Sequence, residues 1–338
     1  MKVRLLDVGS TNIKTALYDE NSRLIFDKKS IAFPIRNLKK PPFYEIAVDE
    51  IEKSIFSLVD KNDDALFICT QMHGYVLMEN GRAVSNYVSW KDTRASLDKP
   101  LEPIEYWHGV SMKANLPKAS ILYTKNHEFG LVEKASEFCS LGSYISYRLC
   151  GNNSSHITDL AASGFYDSRN GEFEKFFLKL PTASMKVVQL GKFGSCAVYS
   201  PVGDQQAAVY GTDYENALIL NVGTASQACC VSDKLIHGEF ESRPFFNAKT
   251  LCTISGLPGG EYMSKTTDSE LFDLLYSKWA NAFKKLPEKN RVIVTGGIVK
   301  YRKSIIERVL DALGVKYEFS NGEETFSGLS KIARECLI

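Results

Sequence analysis

The chain has none of the common single-motif routes to nucleotide or metal chemistry. No Gly-x-x-x-x-Gly-Lys-Ser/Thr string occurs, which excludes a Walker P-loop, and no Gly-x-Gly-x-x-Gly occurs, which excludes a Rossmann fingerprint. Its eight cysteines include no Cys-x-x-Cys pair, and none stands at zinc-finger spacing with the five histidines, so reduced buried thiols are expected. Charge of one sign is missing too. Forty-one Lys and Arg against 40 Asp and Glu leave a net charge of +1, so no global field draws the chain to nucleic acid or to a membrane. No apolar run approaches a membrane helix, and Met1–Leu6 runs straight into a strand without the apolar core of a signal peptide. The expectation is a cytoplasmic protein that catches any anionic ligand locally, on a loop. Short-period repeats and low-complexity segments are also absent.

What is present suits two domains: 338 residues, 44% of them hydrophobic. Residues 3–8, 12–18 and 24–27 read as a three-stranded meander. A helix is predicted near Val48–Asp60 and a buried strand over Ala65–Thr70. The second half repeats this logic. Ala217–Val222 and Gln227–Val231 read as strands around a glycine turn, Leu271–Phe283 as a helix, and Arg291–Thr295 as a buried strand. Ser304–Leu313 is a helix stopped by Gly314. The fold class is therefore α/β, with two ribonuclease-H-like lobes around a central cleft, spanning residues 1–213 and 214–338. A long insert is placed at residues 97–200, and a glycine-bearing hinge at residues 211–216.

Three motifs carry the chemistry. Asp7-Val8-Gly9-Ser10-Thr11-Asn12-Ile13-Lys14 and Asn221-Val222-Gly223-Thr224 share one plan: a strand, a glycine followed by hydroxyl residues, then a returning strand. Such a turn offers N–H groups and hydroxyls to a phosphate. Asp7, ending its strand, suits Mg²⁺ held through water. Between the two lies Gly203-Asp204-Gln205-Gln206-Ala207-Ala208. Asp204 is either the N-cap of a helix or a base that takes a proton from a hydroxyl attacking a γ-phosphate. Gln71-Met72-His73-Gly74 follows a buried strand, where α/β lobes place ligands. Trp90 can floor a sugar, Asp92 can accept from its hydroxyls, and Arg94 can hold Asp92. His156–Gly164, polar and then small, reads as a packing and substrate-loop segment.

In this order the motifs resemble the FGGY carbohydrate kinases, of the superfamily that joins sugar kinases, actin and heat-shock chaperones (the actin-like ATPases). The resemblance runs from about residue 3 to residue 329. It implies a carbohydrate kinase that binds ATP and Mg²⁺ and acts on a small-molecule sugar, as a monomer or homodimer. Asp204 would be the general base, and Asp7 the metal residue. Gly9, Ser10, Thr11, Asn12 and Lys14 would form the first phosphate loop, Gly223 and Thr224 the second, and Gly296-Gly297 the adenosine loop. Gln71, Met72, His73, Trp90, Asp92 and Arg94 would line the sugar side. Gln71-Met72-His73-Gly74 is the xylulokinase and sedoheptulokinase version of the substrate loop, and Gly203–Ala208 and Ser163-Gly164-Phe165-Tyr166-Asp167 lean toward the sedoheptulokinase branch, so a ketose such as sedoheptulose leads. Xylulose, an aldonate, or a non-catalytic sensor are the alternatives. The chain departs from the family in lacking the Phe-Gly-Gly-Tyr string, in placing Ile298 after Gly297, and in a second lobe expected to be trimmed between about 231 and 290.

Overall fold

The computed structural model describes residues 1–98, 113–128, 130–223, 225–263 and 267–337. Strands Lys2–Val8, Asn12–Asp19 and Leu24–Ala32 form the expected antiparallel meander, and Ala65–Thr70 adds to it in parallel beside Lys2–Val8. Beyond Ala65–Thr70 lie Cys196–Tyr199 and Gln189–Phe193, while Val202–Gly203 pairs with the far end of Ala65–Thr70. Two strands that fall inside the stretch read as an insert, residues 97–200, thus complete the lobe-one sheet. Helix Leu141–Cys150 also belongs to the lobe proper, since its Leu141, Tyr144 and Ile145 pack in the same core as Leu66 and Ile68.

Lobe two repeats the topology. Ala217–Val222, Ser226–Ser232 and Thr250–Leu257 run antiparallel, Arg291–Thr295 lies parallel to Ala217–Val222, and Tyr317–Phe319 follows. One extra edge strand, Glu241–Pro244, closes the sheet beside Thr250–Leu257. The helix expected at 271–283 runs over Asp268–Lys285 from a Thr267 capping box. Gly314, in the left-handed region, follows the helix Val299–Ala312.

Strand periodicity then decides what faces what. In Lys2–Val8, Leu6 and Val8 enter the outer core, while Val3 and Leu5 face the other lobe. Ala217 and Ile219 do the same in lobe two, with Leu218, Leu220 and Val222 pointing outward. Between the inner faces lie two helices, Asp204–Gly211 and Glu324–Leu337. The second comes from the end of lobe two, yet its Phe326, Leu329, Ile332 and Ala333 share a core with Val3, Leu5 and Phe67. The two helices cross at backbone contact. A Cβ on Gly211 would fall inside the carbonyl of Glu324, and one on Gly328 inside the carbonyl of Ala207. Gly211 is helical and packed. Its lack of a side chain serves this crossing, a correction to the hinge reading of residues 211–216.

Candidate active site

The inner-face alternation carries one polar residue from each lobe to the end of its central strand. After Val3 and Leu5 comes Asp7; after Ala217 and Ile219 comes Asn221. The strand registers match as well. Asp7 lies opposite Lys14 and Cys69, and Asn221 opposite Gln227 and Thr295. All of these except Cys69 line one cleft of about 310 Å³, together with Gly9, Ser10, Thr11, Asn12, Asp204 and Gln205. The first glycine–hydroxyl turn therefore faces Asn221, Gln227 and Thr295 of lobe two across a shared space. Gly223 begins the second turn and is not among the residues that line the cleft; Thr224 lies outside the described residues.

Asp7 is buried. Lys14 Nζ stands 3.7 Å from its Oδ2 and the Cys69 thiol 3.6 Å from its Oδ1. Burial raises its pKa above the usual carboxylate range, against the pull of the Lys14 ammonium. Asp204 opens the helix Asp204–Gly211 and accepts a 2.7 Å bond from Gln205 N–H. Desolvation first, and the Asp7 charge second, push its carboxyl up to about 7. The Gln205 N–H and Arg243 only partly offset this. A base with a pKa near neutrality takes and returns protons efficiently at physiological pH.

Gly296 sits in the left-handed region, with the Val222 backbone packed where a Cβ would be. It thus lies against the root of the second turn, whereas a Cβ on Gly297 would meet nothing within 4 Å. A segment to which the sequence assigned no role supports that turn too: Gly260 N–H donates to the Gly223 carbonyl at 2.8 Å.

Gln71, Met72, His73 and Trp90, the residues expected to hold a sugar, are not among those lining the cleft; Gln71 N–H bonds the Val8 carbonyl at 2.9 Å, and its Nε2 reaches Gly9 O at 3.4 Å. Met72 is buried beside Gly203, its Sδ 2.7 Å from where a Gly203 Cβ would stand. His73 takes a left-handed backbone, and its Nδ1 is buried with no hydrogen-bond partner among the described residues. Burial, then the nearby Arg243, lowers its pKa to about 3, so the ring is neutral and can serve a ligand hydroxyl. Trp90 is exposed, with the Lys91 ammonium 5.7 Å from its ring centre.

Arg94 holds Asp92, as the sequence reading allowed, and this occupies the carboxylate expected to serve a sugar. Asp92 Oδ1 accepts from Arg94 N and Nε, and its Oδ2 from Tyr44 N and Arg94 Nη2, at 2.7–3.0 Å. Four donors fill its four lone-pair sites. The other guanidinium protons go to Glu45, Thr124 and Glu128, so neither side chain has an atom left for a sugar. The pair is a buried anchor for the loop that carries Trp90.

The sequence left unmarked a charged group from lobe two. Arg243 donates to Glu241 at 3.0 Å and, through Nη1, to Gln205 Oε1 at 2.7 Å. Lys113, from lobe one, pairs with Glu241 and reaches Ser255 at 3.2 Å. Burial would raise Glu241, but Arg243 and Lys113 overcome it and hold its pKa at about 2. No local pattern in the sequence marks this network. Asn221 could have been found, because its turn repeats that of Asp7.

Residues 3–215 match the FGGY family of carbohydrate kinases, N-terminal domain. The chain belongs to the FGGY family of carbohydrate kinases. An uncharacterized sugar kinase of Archaeoglobus fulgidus is 23% identical over 261 residues, which cover 62% of this chain and 52% of that protein. The chain thus spans about half, or less, of the length of the curated relatives it matches. Among solved structures, a ligand-bound xylulose kinase from Lactobacillus acidophilus superposes with a TM-score of 0.85 at 16% identity, covering 99% of this chain and 89% of that one. A gluconate kinase from the same organism gives 0.85 at 16%, covering 100% and 90%. At such identities the likeness is one of fold: two α/β lobes of the actin-like ATPase type. Among the described residues, no helix is long and apolar enough to cross a membrane.

Proposed function

We propose that this FGGY-family chain is an ATP-dependent sugar kinase. The observation that carries the reading is the meeting of two carboxylates, Asp7 and Asp204, in a cleft walled by the Gly9–Asn12 turn of one lobe and by Asn221, Gln227 and Thr295 of the other. Residues 1–213 then form the sugar-binding lobe and 214–338 the nucleotide-binding lobe. In this reading the latter is trimmed between about 231 and 290; among the described residues two strands and two short helical segments, Phe246–Ala248 and Gly260–Met263, lie between Ser232 and Asp268.

In this reading Gln71, Met72, His73 and Trp90 hold the sugar. Gly9, Ser10, Thr11, Asn12 and Lys14 face the phosphates from one side, and Gly223 and Thr224 from the other, with Gly296-Gly297 beside the adenosine. Asp204 takes the proton of a sugar hydroxyl as its oxygen attacks the γ-phosphorus. The new O–P bond forms as the bond to the β-phosphate oxygen breaks, and ADP leaves. Asp7 fits Mg²⁺. It is a desolvated oxygen donor at the cleft wall, and among the described residues no cluster of three or more ligating side chains competes with it. One carboxylate plus waters and phosphate oxygens is the usual Mg²⁺ arrangement. The ion, when bound, neutralises charge on the transferred group.

The names of the relatives support xylulose or an aldonate at least as well as the sedoheptulose suggested by the Asp204 and Ser163–Asp167 motifs, so we place those two first. A coupled ADP-release assay over ketoses, aldoses, polyols and aldonates tests the reading. ADP release that depends on one of these acceptors supports it, and none with any of them refutes it.

A further inference from the structure

The segment His156–Asp159 has no part in the mechanism above, yet it is built into the turn that carries Asp204. His156 and Thr158 are fully buried. Thr158 Oγ1 accepts from Gly203 N–H at 3.2 Å, one residue before Asp204. The same hydroxyl lies 2.9 Å from His156 Nδ1, and Thr158 N–H also points at Nδ1, at 3.3 Å. On the far side of the ring, Nε2 is 3.2 Å from the Met185 carbonyl. One face of the imidazole is stacked on Phe246 of lobe two, with ring centres 5.4 Å apart at 20°.

We propose that His156 and Thr158 are positioning residues. They form a hydrogen-bond relay that fixes the backbone at Gly203 and so aims the Asp204 carboxylate, braced from lobe two by Phe246.

The donors and acceptors admit one consistent pattern. Nδ1 receives the Thr158 N–H, so it is the acceptor nitrogen. Nε2 carries the ring proton and donates it to the Met185 carbonyl, which accepts only. The Thr158 oxygen is used by Gly203 N–H, so its own proton turns to Nδ1. Burial lowers the His156 pKa to about 4, which keeps this neutral tautomer through the working pH range. The backbone has little slack on the other side of the turn. Gln206 Oε1, Met72 Sδ and the Thr158 carbonyl stand 2.5, 2.7 and 3.0 Å from where a Gly203 Cβ would be. Gly203 is thus walled in on one side and tethered by a hydroxyl on the other. Phe246 in turn contacts Tyr210 and Phe245 in the core between the lobes, so the relay is seated on the surface along which the lobes meet.

The inference rests on Asp204 being the base, and the test separates the two ideas. ADP release is measured with ATP and, in turn, D-xylulose, D-gluconate and sedoheptulose, for wild type, Thr158→Val, Thr158→Ser and Asp204→Asn. Valine keeps the shape of threonine and loses the hydroxyl; serine keeps the hydroxyl. A small misplacement of a catalytic group costs about 10²-fold, so Thr158→Val should lower kcat by about that factor with both KM values unchanged. Thr158→Ser should recover most of the loss. Hydrogen exchange gives a readout free of substrate: the Gly203 amide should exchange fast in Thr158→Val and slowly in wild type and Thr158→Ser. An inactive Asp204→Asn beside a wild-type-like Thr158→Val overturns the relay and leaves the base standing. Equal losses in the valine and serine variants overturn it as well. Turnover retained by Asp204→Asn, or no turnover by wild type on any of the three acceptors, removes the base and the relay with it.

Discussion

Replacing Asp204 by asparagine should abolish activity and make the protein more stable, but only above a certain pH. The folded state lifts the Asp204 carboxyl from 3.8 to about 7. At about 1.4 kcal/mol per pH unit, holding it ionised in the cleft costs the fold about 4 kcal/mol. The carboxylate keeps a cleft-facing edge in contact with water, and that screening reduces the expected value to about 2 kcal/mol. The sign follows from proton binding. Between about pH 4 and 7 the folded protein holds a proton that the unfolded chain has released, so wild-type stability falls as pH rises through this window and levels off above it. The asparagine side chain does not titrate, and its amide oxygen still accepts from Gln205 N–H. Urea unfolding of the ligand-free proteins should therefore give similar midpoints near pH 4.5. At pH 8 the variant should lead by about 2 kcal/mol, or several degrees in Tm. As the proposed base, the same group should set the rate: wild-type turnover should drop about tenfold per pH unit below 7. A stability gap that is equal at both pH values, or a variant less stable at pH 8, would refute the desolvated carboxylate.

Other parts of the molecule answer to simpler changes. Thr11→Val keeps size and branching but removes a hydroxyl from the first turn; at about 1.5–3 kcal/mol for a bond to a charged group, calorimetry should show ATP affinity lowered at least tenfold and sugar affinity unchanged. Gly328→Ala drives a methyl into the Ala207 carbonyl, and overpacking of this kind costs about 1–3 kcal/mol or more, measurable as a lower urea midpoint. Arg94→Met strips Asp92 and Glu45 of their shared cation, and leaving buried charges unpaired should cost about 3–5 kcal/mol of unfolding free energy.

The strands were legible where burial leaves a continuous mark. Ala217–Val222 and Arg291–Thr295 are apolar runs ended by polar or glycine residues, and the structure has both at the bounds expected of them. The two turns were legible for a related reason: each must follow an inner-face polar residue and bend on a glycine. Gln189–Phe193 was hidden because it is a half-exposed edge strand with no alternation, so the lobe-one sheet looked complete without it. Asp92 misled because a carboxylate near a tryptophan has the same one-dimensional signature whether it serves a ligand or an arginine. What settles it is Tyr44 and Glu45, nearly fifty residues away. Arg243, Glu241 and Lys113 left no trace for the same reason, since they meet only after both lobes have folded.

The crossing of Asp204–Gly211 over Glu324–Leu337 also bears on how the chain comes to be folded. The first lobe has its strands in place early in synthesis, but the inner face bearing Val3, Leu5 and Phe67 is covered by a helix made long afterwards. Until then an apolar sheet face is open to other chains, and the ribosome's pace sets how long it stays so. Cooperativity runs the same way in reverse: peeling off the last helix uncovers the first lobe, so unfolding that starts at the C-terminal helix should not stop at the lobe that contains it.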